Sequence, residues 1–207
     1  MPRDEKRRAS ILSAAAGAFA ERGYAATSMD DVAVAAGITR LVVYRHFESK
    51  GALYIAVLER VSHRLAEEFA KEIATPMRTG RASVLALMRV GREDPAAFAL
   101  LWRHAAREPE FADYTSRFHR AIVQLVAEML ATVDIGDVRR MEWAAETLVS
   151  YVVGAILHWL DAGPSSGDDE TVDQISASLP AVIEAWATVH RRGVTSRMPA
   201  GASATPR

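Results

Sequence analysis

The sequence has no cysteine, which excludes disulfide frameworks and thiolate zinc sites and fits a reducing, cytoplasmic setting. It also lacks a long apolar run. The most apolar stretch, residues 148–160, is interrupted by Ser150 and His158 and preceded by Glu146. That falls short of the roughly 20 apolar residues a spanning helix needs, so no membrane partner is expected. The charged start, Met1 to Arg8, has no apolar segment of the secretion-signal type. There is no glycine-rich phosphate loop, no His-Glu-x-x-His pattern and no paired Glu-x-x-His motif, so no catalytic residue stands out. Runs of alternating apolar and polar residues, the mark of half-buried strands, are absent as well.

What is present is ordinary for a globular chain of 207 residues: half the residues are hydrophobic and a quarter charged. The net charge is −1, but it is unevenly spread. Residues 1–50 hold eight Lys and Arg against six Asp and Glu, while the remainder holds seventeen against twenty. A phosphate-binding end on a mildly acidic body is compatible with that division.

Apolar residues recur at three- and four-residue spacing nearly throughout, so the fold class is all-α. Helices are expected at about 5–22, 29–36, 40–47, 50–74, 82–92, 95–106, 109–132, 137–162 and 169–191. Gly23, Gly37, Asp94-Pro95, Glu108-Pro109 and Asp134–Asp137 punctuate them. The segment Thr75–Gly80 reads as a linker, and Pro180 is expected to kink or split the last helix. The Ser-, Pro-, Ala- and Gly-rich end from Gly193 to Arg207 reads as a disordered tail.

The informative stretch runs from Thr27 to Lys50. Ser28 followed three residues later by Asp31 is a capping-box pattern, and Met29, Val32, Ala33 and Ala36 then share one helical face. Gly37 supplies the positive φ that a tight turn between two short helices requires. Ile38 is read as the plug of the small core and Thr39 as the next cap. Val43 and Phe47 face inward, which leaves Arg40 and Tyr44 on a different face, flanked by Leu41 and Arg45. One helix fits the major groove, and an arginine near its N-terminus can donate two bonds to guanine O6 and N7. Tyr44, His46 and Lys50, together with the Thr27 and Ser28 hydroxyls, suit phosphates.

These same residues carry a family resemblance. Gly23-Tyr24, Thr27-Ser28, Ala36-Gly37-Ile38-Thr39 and Tyr44-Arg-His-Phe-Glu-Ser-Lys50, followed by Ala52-Leu53, resemble the N-terminal signature of TetR-like transcriptional regulators over residues 5–65. The resemblance implies three domains of work. Residues 1–50 form an N-terminal three-helix helix-turn-helix domain, 51–192 a helical ligand-binding and dimerisation domain, and 193–207 the tail. It implies a homodimer on a palindromic, double-stranded operator, released by a small-molecule effector of unknown identity, as in a repressor. By the same resemblance Thr39, Arg40, Leu41 and Tyr44 face bases or the groove wall, and Thr27, Ser28, Tyr44, His46 and Lys50 touch phosphates. Leu41 and Val42 depart from the smaller or hydroxyl-bearing residues common there, which changes the operator read rather than the mode of reading.

The C-terminal two thirds carry no comparable motif. Met141, Ala144, Ala145, Leu148, Val152, Ala155, Ile156 and Trp159 form one apolar face. Val172, Ile175, Leu179, Val182, Ile183, Trp186 and Val189 form another. Either could meet a second copy of the chain or fill this chain's own core. Aromatic and imidazole side chains are the candidate pocket residues: Trp102, His104, Phe111, Phe118, His119, Trp143, Tyr151 and His158. Glu59, His63 and Glu67 on one helix face, and His104 with Glu108 on another, match no metal pattern, so neither metal nor cofactor is expected. Two other classes remain in view: a sequence-nonspecific DNA-binding or helical interaction module, and an all-helical enzyme.

Overall fold

A computed structural model describes residues 3–73 and 80–197. Every element among them is helical: α1 (Arg3–Arg22), α2 (Met29–Ala35), α3 (Arg40–His46), α4 (Lys50–Ile73), α5 (Gly80–Glu93), α6 (Pro95–Ala99), α7 (Ala112–Leu130), α8 (Val138–Ala162) and α9 (Asp168–Arg197).

The local signals act as expected at most boundaries. Asp94 caps α6 through a bond from the Ala97 N–H at 3.0 Å, with Pro95 in the first turn, and Asp137 caps α8 through the Arg140 N–H at 3.0 Å. Ser49 accepts from the Ala52 N–H at 3.1 Å at the start of α4. Gly37 has φ +64°, a value that costs a residue with a Cβ about 1–2 kcal/mol.

Four expectations change. The stretch read as one helix over 95–106 breaks after α6 into a π turn, Leu100–His104, and a 3₁₀ turn, Ala105–Arg107. The wider turn lets Leu100, Leu101 and Ala105 all be buried. Pro180 lies inside α9 without splitting it, so one backbone bond is lost but the helix continues to Arg197. That continuation takes in five residues read as tail. Residues 198–207, and 75–79 of the expected linker, lie outside the described residues, and Gly80 already belongs to α5. Finally, α8 is long and apolar enough, by length and composition, to cross a membrane. Its apolar face is nonetheless packed: Ala144, Leu148, Val152 and Ile156 are buried against neighbouring helices of this chain.

The core runs through both halves. In the N-terminal part, Ile11, Ala15 and Phe19 of α1, four residues apart, meet Val32, Val43, Leu53 and Val57 of α2, α3 and α4. In the C-terminal part α7 packs on α8, and α5 on α8 and α9. The apolar faces considered for a second copy are therefore largely inside one chain, with Val172 and Ile175 also buried.

A polar lock joins α5 to the α8–α9 corner. The Arg92 guanidinium grips Asp168 through two nitrogens at 2.8 and 2.9 Å and the Gly163 carbonyl at 2.8 Å, and the Trp159 indole N–H donates to Asp168 at 2.7 Å. Gly163 makes room for that indole, since a Cβ there would lie 2.3 Å from the ring. Arg92, with Trp159, holds the Asp168 carboxyl below the usual carboxylate range. Its folded-state pKa is depressed, so the stabilisation is complete above about pH 4 and is lost as pH falls through the lowered value. Asp168→Asn is expected to lower stability to urea by about 2 kcal/mol at neutral pH, with the gap to wild type closing in strong acid. A pH-independent gap contradicts this.

Candidate nucleic-acid interface and helical-domain cavity

Helix α2 begins with a complete capping box. The Asp31 N–H donates to Ser28 Oγ at 3.1 Å, and the Ser28 N–H donates to Asp31 Oδ2 at 2.8 Å. Arg22 adds an ion pair to Asp31 at 2.8 Å. The Ser28 bonds, then Arg22, keep the Asp31 carboxyl below its ordinary range. After α2 the chain turns at Gly37, where the Gly37 and Ile38 N–H groups donate to the carbonyls of Val34 and Ala33. Ile38 is half-buried on the core, as a plug should be.

Helix α3 has only seven residues, so its orientation is set by docking. Val43 is fully buried and Phe47, just after it, nearly so. This pins one face inward and leaves Arg40, Leu41, Tyr44 and Arg45 outward. Leu41 is 72% exposed on this outward face. Thr39 precedes α3 with extended backbone and makes no side-chain capping bond, contrary to the cap expected of it. Arg40 donates to Asp30 Oδ2 at 2.8 Å and to the Tyr44 hydroxyl at 3.3 Å, and its guanidinium lies 5.2 Å from the Tyr44 ring centre. Tyr44 and Asp30 together raise the guanidinium pKa further, so Arg40 is always a cation.

Three residues expected at phosphates have partners within the chain. Thr27 is 1% exposed, and its hydroxyl donates to the carbonyls of Gly23 at 2.8 Å and Ala18 at 3.1 Å. The His46 side chain is 7% exposed and faces Asp4 of α1 at 3.6 Å. The Lys50 ammonium donates to the Tyr24 carbonyl at 2.8 Å and Ala25 at 3.4 Å, over the Tyr24 ring. Lys50 thus staples α4 to the loop after α1. Sequence reasoning passed over four others. Asp30 holds Arg40, Arg45 is exposed at the end of α3, and Lys6 and Arg7 of α1 flank the Gly37 turn. The basic run at residues 6–8 was the available signal for the last pair.

The helical body encloses an apolar cavity of about 270 Å³ between α5, α7, α8 and α9. Val84, Leu87, Ile122, Val126, Val152 and Leu179 line it. Of the candidate pocket residues only Trp102, on the π turn, borders it. Phe118, His119 and the other side of Trp102 border a more open groove between α7 and α8. Phe111 is core, stacked on the Tyr54 ring at 4.3 Å and edge-on to Tyr24 at 4.8 Å. Trp143 packs against Trp186 at 5.0 Å and is half exposed, the Tyr151 hydroxyl pairs with Ser178, and His158 is exposed. His104 is half-buried in the π turn and does not line the cavity. The cavity residues are aliphatic, so at helical spacing they looked like any core. Among the described residues no cluster of three or more His, Asp or Glu is placed to hold a metal.

Two short helices around a glycine elbow, the second presenting an exposed cationic and aromatic face, define a helix-turn-helix DNA-binding protein. Residues 11–57 match the profile described as bacterial regulatory proteins, tetR family, and residues 80–181 the one described as tetracyclin repressor-like, C-terminal domain. The HTH-type transcriptional activator FasR of Mycolicibacterium smegmatis is 30% identical over 190 residues, covering 90% of this chain and 84% of that protein. A TetR-like transcriptional regulator from Rhodococcus sp. RHA1 superposes with TM-score 0.70 at 22% identity, over 95% of this chain and 100% of that one. AibR, solved with isovaleryl coenzyme A and operator DNA, shares the fold with TM-score 0.63 at 18% identity, over 83% and 97% of the two chains. The chain belongs to the TetR family of transcriptional regulators, and it is a DNA-binding regulator of transcription.

Because its ammonium bridges α4 to the Tyr24 and Ala25 carbonyls, Lys50→Ala is expected to act first on stability. Urea denaturation should show a loss of about 1.5 kcal/mol, while the salt dependence of duplex affinity keeps its slope. A slope lowered by about one unit with unchanged stability would return Lys50 to the phosphate contacts.

Proposed function

We propose that this protein binds a two-fold symmetric operator as a homodimer, reads it with α3, and is released by a small apolar effector held in the helical body. The observation that carries the reading is the outward face of α3, held by inward Val43 and Phe47. Thr39, Arg40, Leu41 and Tyr44 meet base edges and the groove wall, with Leu41 suited to a thymine methyl and Arg40 to guanine. Ser28, at the exposed start of α2, and Arg45 meet the flanking phosphates.

Functionally, residues 1–50 are the reading head and 51–192 the sensing and pairing body, to which the rest of α9 belongs. The pairing surface is the outer side of α8 and α9. Trp143, Ser150, Gly154 and His158 recur there at helical spacing, and Val189 of α9 is 64% exposed. A glycine at Gly154, with open space beside it, lets a partner helix approach closely. Two such subunits set two copies of α3 about 34 Å apart, one turn of the duplex.

The cavity supports an effector whose body is uncharged, since no charged side chain lines it. AibR, solved in complex with both a small molecule and operator DNA, is similar in fold and lends this its analogy. The route from cavity to head is short. Trp102 stands on the π turn, the chain then reaches Phe111, and Phe111 stacks on Tyr54 of α4. An effector that moves this turn tilts α4 and spoils the spacing of the heads, and it shifts the equilibrium only by its difference in affinity for the two states. The place of action is the cytoplasm, where the operator is. A nonspecific DNA-binding module is the second reading, and the exposed, base-suited set on α3 favours the first.

Selection from a random duplex library is expected to return a palindrome. Arg40→Ala should bind that palindrome no better than a scrambled duplex, and preserved preference contradicts the assignment. A bulky Val152→Trp substitution fills the cavity. It should abolish the fluorescence gain of an uncharged phenyl-naphthylamine dye while duplex binding persists, and undiminished dye binding places the effector elsewhere.

A further inference from the structure

Arg40 is not a free cation waiting for DNA. Its side chain is fixed from two sides, by the Asp30 carboxylate at 2.8 Å from α2 and by the Tyr44 hydroxyl and ring from one turn along α3. Arg40 and Asp30 are both more than half exposed, at 58% and 57%. An ion pair so wet adds little to folding. Helix α2 does not need it for capping either, because Ser28 and Asp31 complete that box by themselves. An aspartate exposed beside the helix that enters a polyanion is unfavourable for DNA binding in general. The fold places it there with its charge on the arginine at the N-terminal end of α3.

We propose that Asp30 is a specificity-determining residue that withholds Arg40 from phosphates and presents it to guanine. This rests on the reading above that α3 enters the major groove. A guanidinium has five N–H donors. Asp30 and Tyr44 take two, and three remain, enough for the two-bond fork to guanine O6 and N7. At an operator Arg40 can therefore keep its carboxylate and make the base contact as well. On a wrong sequence the alternative is to swing out to a phosphate. That breaks the Asp30 bond and leaves the carboxylate facing phosphate oxygens unpaired. Like charges so placed suppress the wrong partner more than the right one. Tyr44 contributes by keeping the cation over its ring, so less side-chain freedom is lost when the base is met.

The experiment measures affinity for the selected palindrome and for a scrambled duplex across a range of salt, using wild type, Asp30→Asn, Asp30→Glu and the double variant Asp30→Asn/Arg40→Ala. Asp30→Asn keeps the side-chain shape and removes the charge. It is expected to bind scrambled duplex about tenfold more tightly, with little gain on the palindrome. Its log-affinity against log-salt slope on scrambled duplex should steepen by about 0.9 per head, the signature of one added phosphate contact. Asp30→Glu should restore much of the discrimination. In the Arg40→Ala background the Asp30→Asn change should steepen nothing, because the cation it frees is gone.

An unchanged discrimination ratio for Asp30→Asn, or equal weakening on both duplexes with an unchanged slope, overturns the role of Asp30. So does a steepened slope that survives in the double variant. A wild-type protein that itself fails to prefer any duplex overturns instead the reading on which the proposal rests. Circular dichroism melting of each variant shows whether the fold is intact, and the Asp30 variants are expected to melt with wild type.

Discussion

The docking of a seven-residue helix is the constraint on which everything else depends. A peptide as short as α3 has no stable helical state of its own in water. It exists because Val43 and Phe47 are driven into the core formed with Ile11, Phe19 and Leu53, and because Gly37 turns the chain so that they arrive there. Once those two side chains are inside, the geometry of a helix dictates what is outside. Arg40, Leu41, Tyr44 and Arg45 are exposed as a consequence of what is buried. A cation, a methyl-bearing side chain and a phenol on one narrow rod are what a groove reader needs, and the packing on the other side of that rod sets their aim.

The parts of this arrangement governed by near neighbours in the chain were legible in the sequence. The capping box at Ser28 and Asp31, the elbow at Gly37 and the inward pair four residues apart are all local, and all stand in the structure. Less legible were the intrachain partners of polar residues in the same stretch, most of them distant in sequence. Lys50 meets carbonyls of residues 24 and 25, and His46 turns to Asp4. Thr27 reaches back to Ala18 and Gly23 across the end of α1. Each is a polar residue in the right stretch, and spacing alone does not say whether a hydroxyl or ammonium points to solvent or to a backbone carbonyl. The cavity was illegible for the opposite reason. Its walls are valine, leucine and isoleucine, indistinguishable in pattern from core, while the conspicuous aromatics such as Phe111 and Trp143 serve packing.

The two halves are not independent. Helix α4 belongs to both, with Leu53, Tyr54 and Val57 in the core of the head and its outer turns tied to the body. Arg60 joins Asp94 at the start of α6, and Arg64 joins Glu93 at the end of α5 through two bonds at 2.8 Å. Tyr24, Tyr54 and Phe111 form a compact ring cluster where the head meets the turn before α7. A rigid, interdigitated junction of this kind responds to a push by moving as a unit. The irregular π and 3₁₀ turns between residues 100 and 111 sit between the cavity wall and that cluster, so a change in the cavity has a short mechanical path to the recognition helix.

The central claim, that the exposed face of α3 lies in the major groove, is tested most directly by chemical methylation of duplex bound to the protein. Dimethyl sulfate attacks guanine N7 in the major groove and adenine N3 in the minor groove. Protection of guanine N7 is expected in two symmetric half-sites whose centres are one helical turn apart, with adenine N3 there still reactive. Protection confined to adenine N3, or none at any guanine of a duplex demonstrably occupied, would contradict it.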